Sequence, residues 1–337
     1  MIRTAVTSDS LESDASAPLC FVVDDASSGH RLDRFLVDNM PELSRARARM
    51  LLDSGNVRVD GRRARKGDSL SAGTAVVVLE PPPPRDFTPI ANAALPWTVR
   101  LETPEVAVVE KPAGMPTHPL RADETDTLAN AIVSHYPETA EIGFARREPG
   151  LMHRLDTDTS GVVLVARTRE AFESLRQATR DGAVTKRYVA LVRGRVEADG
   201  RVEYPLVPHR KDPKRVEAVT PHVRLRAGTK VHEAITRYKP GKSFSGVAGE
   251  DVVTWIDVEI TRAFRHQIRV HLATIGHALV GDALYRGPDG SAIGLSRHFL
   301  HASAVSFPHP RTGARTEAAS PLPPDLTAVI AQLTVVP

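Results

Sequence analysis

Four consecutive prolines, Pro81-Pro82-Pro83-Pro84, constrain this 337-residue chain more than any other feature. Proline lacks an amide proton and has a fixed φ, so the run can be neither helix interior nor central strand. It reads as a stiff polyproline spacer that separates residues 19–82 from residues 83–337. Residues 1–18 are polar and aperiodic and read as a flexible tail. The chain has ample length to bury a core, and 41% hydrophobic with 25% charged residues excludes wholesale disorder. A lone Cys20 makes neither an internal disulfide nor a multi-cysteine metal site. No apolar run approaches eighteen residues and the N-terminus has no apolar leader, so a cytoplasmic protein without a membrane partner is expected.

In the first segment, Leu32, Phe35 and Leu36 fall at helical spacing in a helix that ends near Asn39 to Pro41. Ser44 suits the N-cap of a second helix over Arg45 to Ser54, and Gly55 suits its left-handed C-terminal position. Strand-like runs at Val57 to Val59 and Ala75 to Leu79 follow, with turns at Asp60-Gly61 and Ala72-Gly73, which makes a small α/β domain. Of the 44 basic residues 36 are arginine, and between Gly29 and Asp68 ten basic residues face six acidic ones. The excess lies at Arg45, Arg47, Arg49 and Arg62 to Lys66. Arg45 and Arg49 share a helix face, leaving Met50 and Leu51 for the core. Such a face suits the phosphates of structured RNA, and an ordinary solvated face suits the same residues.

The second segment reads as α+β around a mostly antiparallel mixed sheet. Strands are expected at Val106 to Glu110, Val162 to Ala166, Lys186 to Val192, Val252 to Ile260 and Ala304 to Phe307. Helices are expected at Leu128 to Tyr136, Arg169 to Thr179 and Arg265 to Ile275. Lys239 to Gly249, rich in Gly, Ser and Lys, reads as an exposed loop. Its Gly241-Lys242-Ser243 ends like a P-loop, but Thr236 stands where the first glycine of that motif is required.

The densest polar signal is His153-Arg154-Leu155-Asp156-Thr157-Asp158-Thr159-Ser160-Gly161, just before an apolar strand. A carboxylate beside cations on the rim of a sheet is a candidate nucleophile or base, which makes Asp156 the residue of interest. An Asx-type turn that merely ends a loop accommodates the same residue types.

The segment with Arg31-Leu32-Asp33-Arg34-Phe35-Leu36, Ser44-Arg45, Gly55 to Gly61, Lys66 and Gly73 resembles the S-four-like RNA-binding domain, and the resemblance implies an RNA partner. His-Arg-Leu-Asp-x-x-Thr-Ser-Gly resembles the central motif of the RluA family of RNA pseudouridine synthases, with Asp156 at the catalytic aspartate. Three further blocks agree in order: Val106 to Pro119 with Lys111-Pro112-x-Gly114, Lys186 to Gly194 with Tyr188, and His266-Gln267-Ile268-Arg269 followed by Gly281-Asp282. The resemblance spans about residues 85–330 and implies the pseudouridine synthase fold and a reaction that needs no cofactor and no metal. It implies that Arg269 partners Asp156, that Tyr188 stacks on the target uracil, and that Arg154 helps hold the nucleotide out of its helix. It also places His153, Ile268 and Arg265 near substrate, with His153 shaping the loop, and Arg45 and Arg49 on RNA phosphates. One departure stands out: the family's Gly-Arg pair before His-Gln is Ala263-Phe264 here.

The expected function is therefore uridine isomerisation in RNA, with large-subunit (23S) ribosomal RNA first and transfer RNA second as substrate, by a monomer. A catalytically idle RNA-binding or ribosome-assembly factor would have no need of Asp156, Tyr188 and Arg269 together. A nucleoside hydrolase would need a second activated carboxylate, for which Asp158 is the nearby candidate.

Overall fold

The computed structural model describes residues 18–40, 43–65, 67–82, 87–225, 228–247 and 250–337. Residues 1–17 of the expected tail, Lys66 of the basic run, and Pro83 and Pro84 lie outside the described residues. The chain divides into two compact units, Met1–Asp86 and Phe87–Pro337.

The first unit runs β1 (Leu19–Val22), α1 (Leu32–Asn39), α2 (Arg45–Asp53), β2 (Val57–Val59), β3 (Arg62–Arg63) and β4 (Ala75–Val78). Its antiparallel sheet has the order β1-β4-β2-β3. The Ser44 hydroxyl caps α2 by accepting from the Arg47 amide at 3.3 Å. Asp60 and Gly61 both take positive φ and close the tight turn between β2 and β3. Ala48, Leu51 and Leu52 of α2 join Leu32, Phe35 and Leu36 of α1 in the core. Met50 does not: it is 70% exposed. A core set at i, i+3 and i+4 fixes the phase of the helix, and residue 50 falls about 150° from its centre.

The second unit continues with β5 (Thr98–Glu102), β6 (Val106–Lys111), α3 (Leu128–His135), β7 (Ser160–Ala166), α4 (Arg169–Arg180) and β8 (Thr185–Arg193). Then come β9 (Gly200–Val202), β10 (Leu206–Pro208), β11 (Val216–Ala218), β12 (Thr236–Ser245), β13 (Val253–Ile260) and α5 (Gln267–Thr274). The last elements are β14 (Leu300–Pro308), β15 (Arg315–Ala319), α6 (Pro324–Gln332) and β16 (Thr334–Val336). One large sheet follows the path β16-β12-β13-β8-β14-β7-β6-β5, with β15 on β14 and β9 on β12. Its described pairs are antiparallel except β14 with β7. Every residue of β7 is buried, as its unbroken apolar run requires of a strand covered on both faces. Apolar side chains of α3, α4 and α5 share one core with β6, β7, β8 and β13. No helix among the described residues is long and apolar enough to cross a membrane.

Two expectations for the second unit need correction. Residues 239–245 are not loop but the second half of β12, paired with β13 on one side and β16 on the other. Pro240 sits where the register shifts, so its missing amide falls at a bulge. Gly241 lies under Trp255, whose Cδ1 would be 2.9 Å from an added Cβ. The helix expected from Arg265 begins at Gln267, because His266 takes a left-handed conformation (φ 56°).

The parallel pair sets Gly161 directly against Ala302. Gly161 has φ 122°, and a Cβ there would lie 2.2 Å from the Ala302 carbonyl oxygen. Gly161→Ala should therefore cost at least about 2 kcal/mol, a backbone strain plus a displaced strand. Gly313→Ala, at φ 70° in open space, should cost roughly 1 kcal/mol. Denaturant unfolding followed by tryptophan fluorescence checks both, since Trp97 and Trp255 lie in the second unit.

Candidate active site

The loop ahead of β7 is held from two sides. From β6 and the turn after it, the fully buried Lys111 donates to the carbonyls of Pro112, Met115 and Thr157 at 2.8, 2.7 and 2.9 Å. Thr117 accepts from the Leu155 amide and donates to the Leu155 carbonyl at 2.7 Å. Burial pushes the Lys111 ammonium down to about 7 against the pull of Asp156 and Asp158. Three carbonyl acceptors need all three of its protons, so the geometry holds the charged form. From the C-terminal side, Arg297 donates to the Asp158 carbonyl at 3.0 Å and the Ser160 hydroxyl at 3.2 Å. His298 bonds Thr159 at 2.7 Å and His301 bonds Ser160 at 2.9 Å. These bonds account for the motif's hydroxyl residues and fix the direction in which Asp156 leaves the loop.

Asp156 meets Arg269 of α5. Arg269 Nη1 donates to Asp156 Oδ2 at 3.0 Å, while Nε and Nη2 fork onto Asp282 at 2.7 and 2.9 Å. Asp282 is 1% exposed and also accepts from the Tyr285 amide at 3.2 Å. The bidentate fork orients the guanidinium and leaves one edge for Asp156. Burial pushes the Asp156 carboxyl up, but His266, then Arg269 with its hydrogen bond, and His298 outweigh it, and its pKa falls below the usual value. Burial holds His298 near about 3 and lowers His266 as well, so both rings are neutral at pH 7. Arg269 is then the permanent cation at the carboxylate. His266 Nε2 stands 3.9 Å from Asp156, with its Nδ1 hydrogen-bonded to the Tyr285 hydroxyl at 3.0 Å.

Asp156, Tyr188, Arg154, Ile268 and Arg269 line one cleft. The Tyr188 ring is buried, and burial together with Asp156 raises its hydroxyl pKa. Arg154 is exposed at the cleft mouth and makes no hydrogen bond among the described residues. Arg265 borders an adjoining cavity and donates to the carbonyls of Pro213 and Arg215 at 2.9 and 3.0 Å. His153 is not in the cleft: its Nε2 accepts from the Leu164 amide at 3.1 Å, and burial keeps the ring neutral. Its ring ties the start of the loop to the backbone of β7. Arg45 and Arg49 are exposed on α2 of the first unit. Asp282, Lys111, Arg297 and His298 were not assigned roles from sequence. Gly281-Asp282 and Lys111-Pro112 stood in the matched blocks, but nothing in their spacing points to Asp156. Among the described residues no three His, Cys, Asp or Glu side chains gather as a metal site.

Residues 105–274 match the RNA pseudouridylate synthase family, and residues 30–76 match the S4 domain. An uncharacterized RNA pseudouridine synthase of Chloroflexus aurantiacus is 38% identical over 93% of this chain and 92% of its own length. The ribosomal large subunit pseudouridine synthase D of Xanthomonas campestris is 34% identical over 93% of this chain and 91% of its own. The solved human RNA pseudouridylate synthase domain containing 1 has a similar fold. Its TM-score is 0.55 at 22% identity, covering 73% of this chain and 91% of that one.

The shared guanidinium has a measurable energetic signature. Arg269→Met leaves the buried Asp282 carboxylate unpaired and should cost about 3–5 kcal/mol of stability. Adding Asp282→Leu removes the orphaned charge and should recover a large part of that loss. Denaturant unfolding of the two variants and the wild type measures the coupling; simple additivity would contradict the buried fork.

Proposed function

The chain belongs to the RNA pseudouridine synthase family and isomerises uridine in RNA, and from that premise we propose that it acts on large-subunit ribosomal RNA through Asp156, Arg269 and Tyr188. Relatives from Xanthomonas campestris and Nitrosomonas europaea, 34% and 32% identical, carry the name ribosomal large subunit pseudouridine synthase D. An S4 domain ahead of the synthase domain supplies a second RNA-binding unit, with Arg45 and Arg49 exposed on one helix for phosphate contacts.

The observation that carries the catalytic assignment is the 3.0 Å bond from Arg269 to Asp156, with Arg269 itself forked onto Asp282. The reaction breaks the N1–C1′ bond, turns the uracil, forms C5–C1′ and moves one proton from C5 to N1. Nothing is oxidised and nothing is hydrolysed. An ionised Asp156 serves both ways of opening the glycosidic bond: attack on C1′, or removal of the ribose 2′-proton to give a glycal. Arg269 keeps the carboxylate charged and aimed, and Lys111 holds the loop that carries it. Tyr188 supplies a ring face for the uracil once it has left the stack. Arg154 at the cleft mouth holds the extruded nucleotide.

Carbodiimide mapping of pseudouridine in RNA from cells with and without the protein tests the substrate. The expected result is a protein-dependent signal in large-subunit ribosomal RNA; a signal confined to transfer RNA would overturn that target. Asp156→Asn is nearly isosteric and should retain RNA binding at fixed salt while turnover on the mapped RNA disappears. Wild-type turnover by this variant would remove Asp156 from the chemistry.

A further inference from the structure

The turn before α5 carries a departure that the reaction does not absorb. Where the family pattern has Gly-Arg, this chain has Ala263 and Phe264. The half-buried Phe264 ring walls two adjoining spaces: the cleft that contains Asp156 and Tyr188, and a cavity of about 620 Å³ bordered by Arg154, Arg210 and Arg265. The ring is stacked on His232, with centroids 4.2 Å apart and planes inclined by 25°. The Phe264 amide donates to Gln267 Oε1 at 3.0 Å, which fixes the turn beneath it. Phe264 also packs against the small core of Val216, Val270 and Tyr285, so it borders both spaces from a fixed position.

The cations around it are not equivalent. Arg265 is engaged with the carbonyls of Pro213 and Arg215, on the stretch between β10 and β11. Arg154 and Arg210 are exposed and make no hydrogen bond among the described residues. One cavity is therefore bordered by an aromatic side chain and by two guanidinium groups with no hydrogen bond to the described residues. Those are the complements of one nucleotide: a base with a π-face and its flanking phosphates. Extracting the target uridine strips its neighbours of one stacking partner, and an aromatic ring replaces it for any base.

We propose that Phe264, backed by His232, is the stacking platform for a nucleobase next to the target uridine, with Arg210 receiving its outer phosphate and Arg154 the phosphate it shares with the target. The assignment rests on RNA as substrate and not on which RNA is modified. Position 264 thus contributes ring surface where the family pattern contributes a cation. The ring's own contribution is insensitive to salt, because stacking releases no counterions, and the salt dependence at this site comes from the two arginines.

The test uses the full-length protein and a single-stranded oligoribonucleotide with one uridine between two 2-aminopurines. Wild-type protein should quench 2-aminopurine fluorescence on binding. Phe264→Tyr should retain affinity and quenching. Phe264→Leu keeps apolar bulk against His232 but has no π-face, and should weaken binding about 10-fold and relieve quenching. The slope of log affinity against log salt should match the wild type. Wild-type affinity and quenching by Phe264→Leu would overturn the platform. So would a Leu slope shallower by about 0.7 or more, because the ring would then merely hold the basic wall in place. Equal losses in the Tyr and Leu variants would overturn it too. The probe reads binding alone: a wild-type protein that binds and quenches but makes no pseudouridine supports the platform and refutes the reaction.

Discussion

One guanidinium divides its donors between two carboxylates, and the second unit is organised around that division. Asp282 takes the fork of Arg269 at 2.7 and 2.9 Å, and Asp156 takes the remaining edge at 3.0 Å. The buried partner sets the orientation; the half-buried one receives the charge. Asp282 can serve because Gly281 brings its turn close to Arg297: a Cβ at Gly281 would lie 2.1 Å from the Arg297 carbonyl oxygen. Arg297 in turn bonds the Asp158 carbonyl and Ser160. The carboxylate, its cation and the cation's anchor are thus closed into one loop of contacts across residues far apart in sequence.

That closure depends on the sheet. The parallel pairing of β14 with β7 places the start of β7 against Ala302, at a spacing that a glycine at position 161 permits. Lys111 reaches the same loop from the end of β6, which pairs with β7 on its other edge. Asp156 is therefore carried by a loop whose exit strand is gripped on both sides. A carboxylate that must stay charged and not move needs this kind of support.

Much of this was legible in the sequence, and the reasons differ by element. The five expected strands and the α3 and α4 helices carried strong apolar patterns, and the structure contains them with ends shifted by a few residues. The partnership of Arg269 with Asp156 came from motif resemblance, because 113 residues separate them and no local pattern links such a pair. Asp282 was invisible for the same reason: its role is to hold another side chain, and spacing does not encode that. The second half of β12 was misread because Pro240, Gly241, Lys242 and Ser243 carry loop chemistry. A bulge and a glycine under Trp255 let a strand use them. Met50 lies outside the core because Ala48, Leu51 and Leu52, and not the spacing of the arginines, set the phase of α2.

The central claim is that Asp156 stays ionised inside a half-buried cleft, lowered by His266 and by the hydrogen-bonded Arg269. A carboxyl that titrates below its ordinary value of 3.8 contributes stability that is fully present above that pH and is lost as pH falls through the folded value. Carboxyl-carbon NMR of protein labelled with 13C-aspartate reads this directly, with the Asp156 signal assigned by its loss in Asp156→Asn. The signal should hold its carboxylate shift from pH 7 down through 3.8 while exposed aspartates titrate. An Asp156 signal that titrates at or above the ordinary aspartate value would contradict the account.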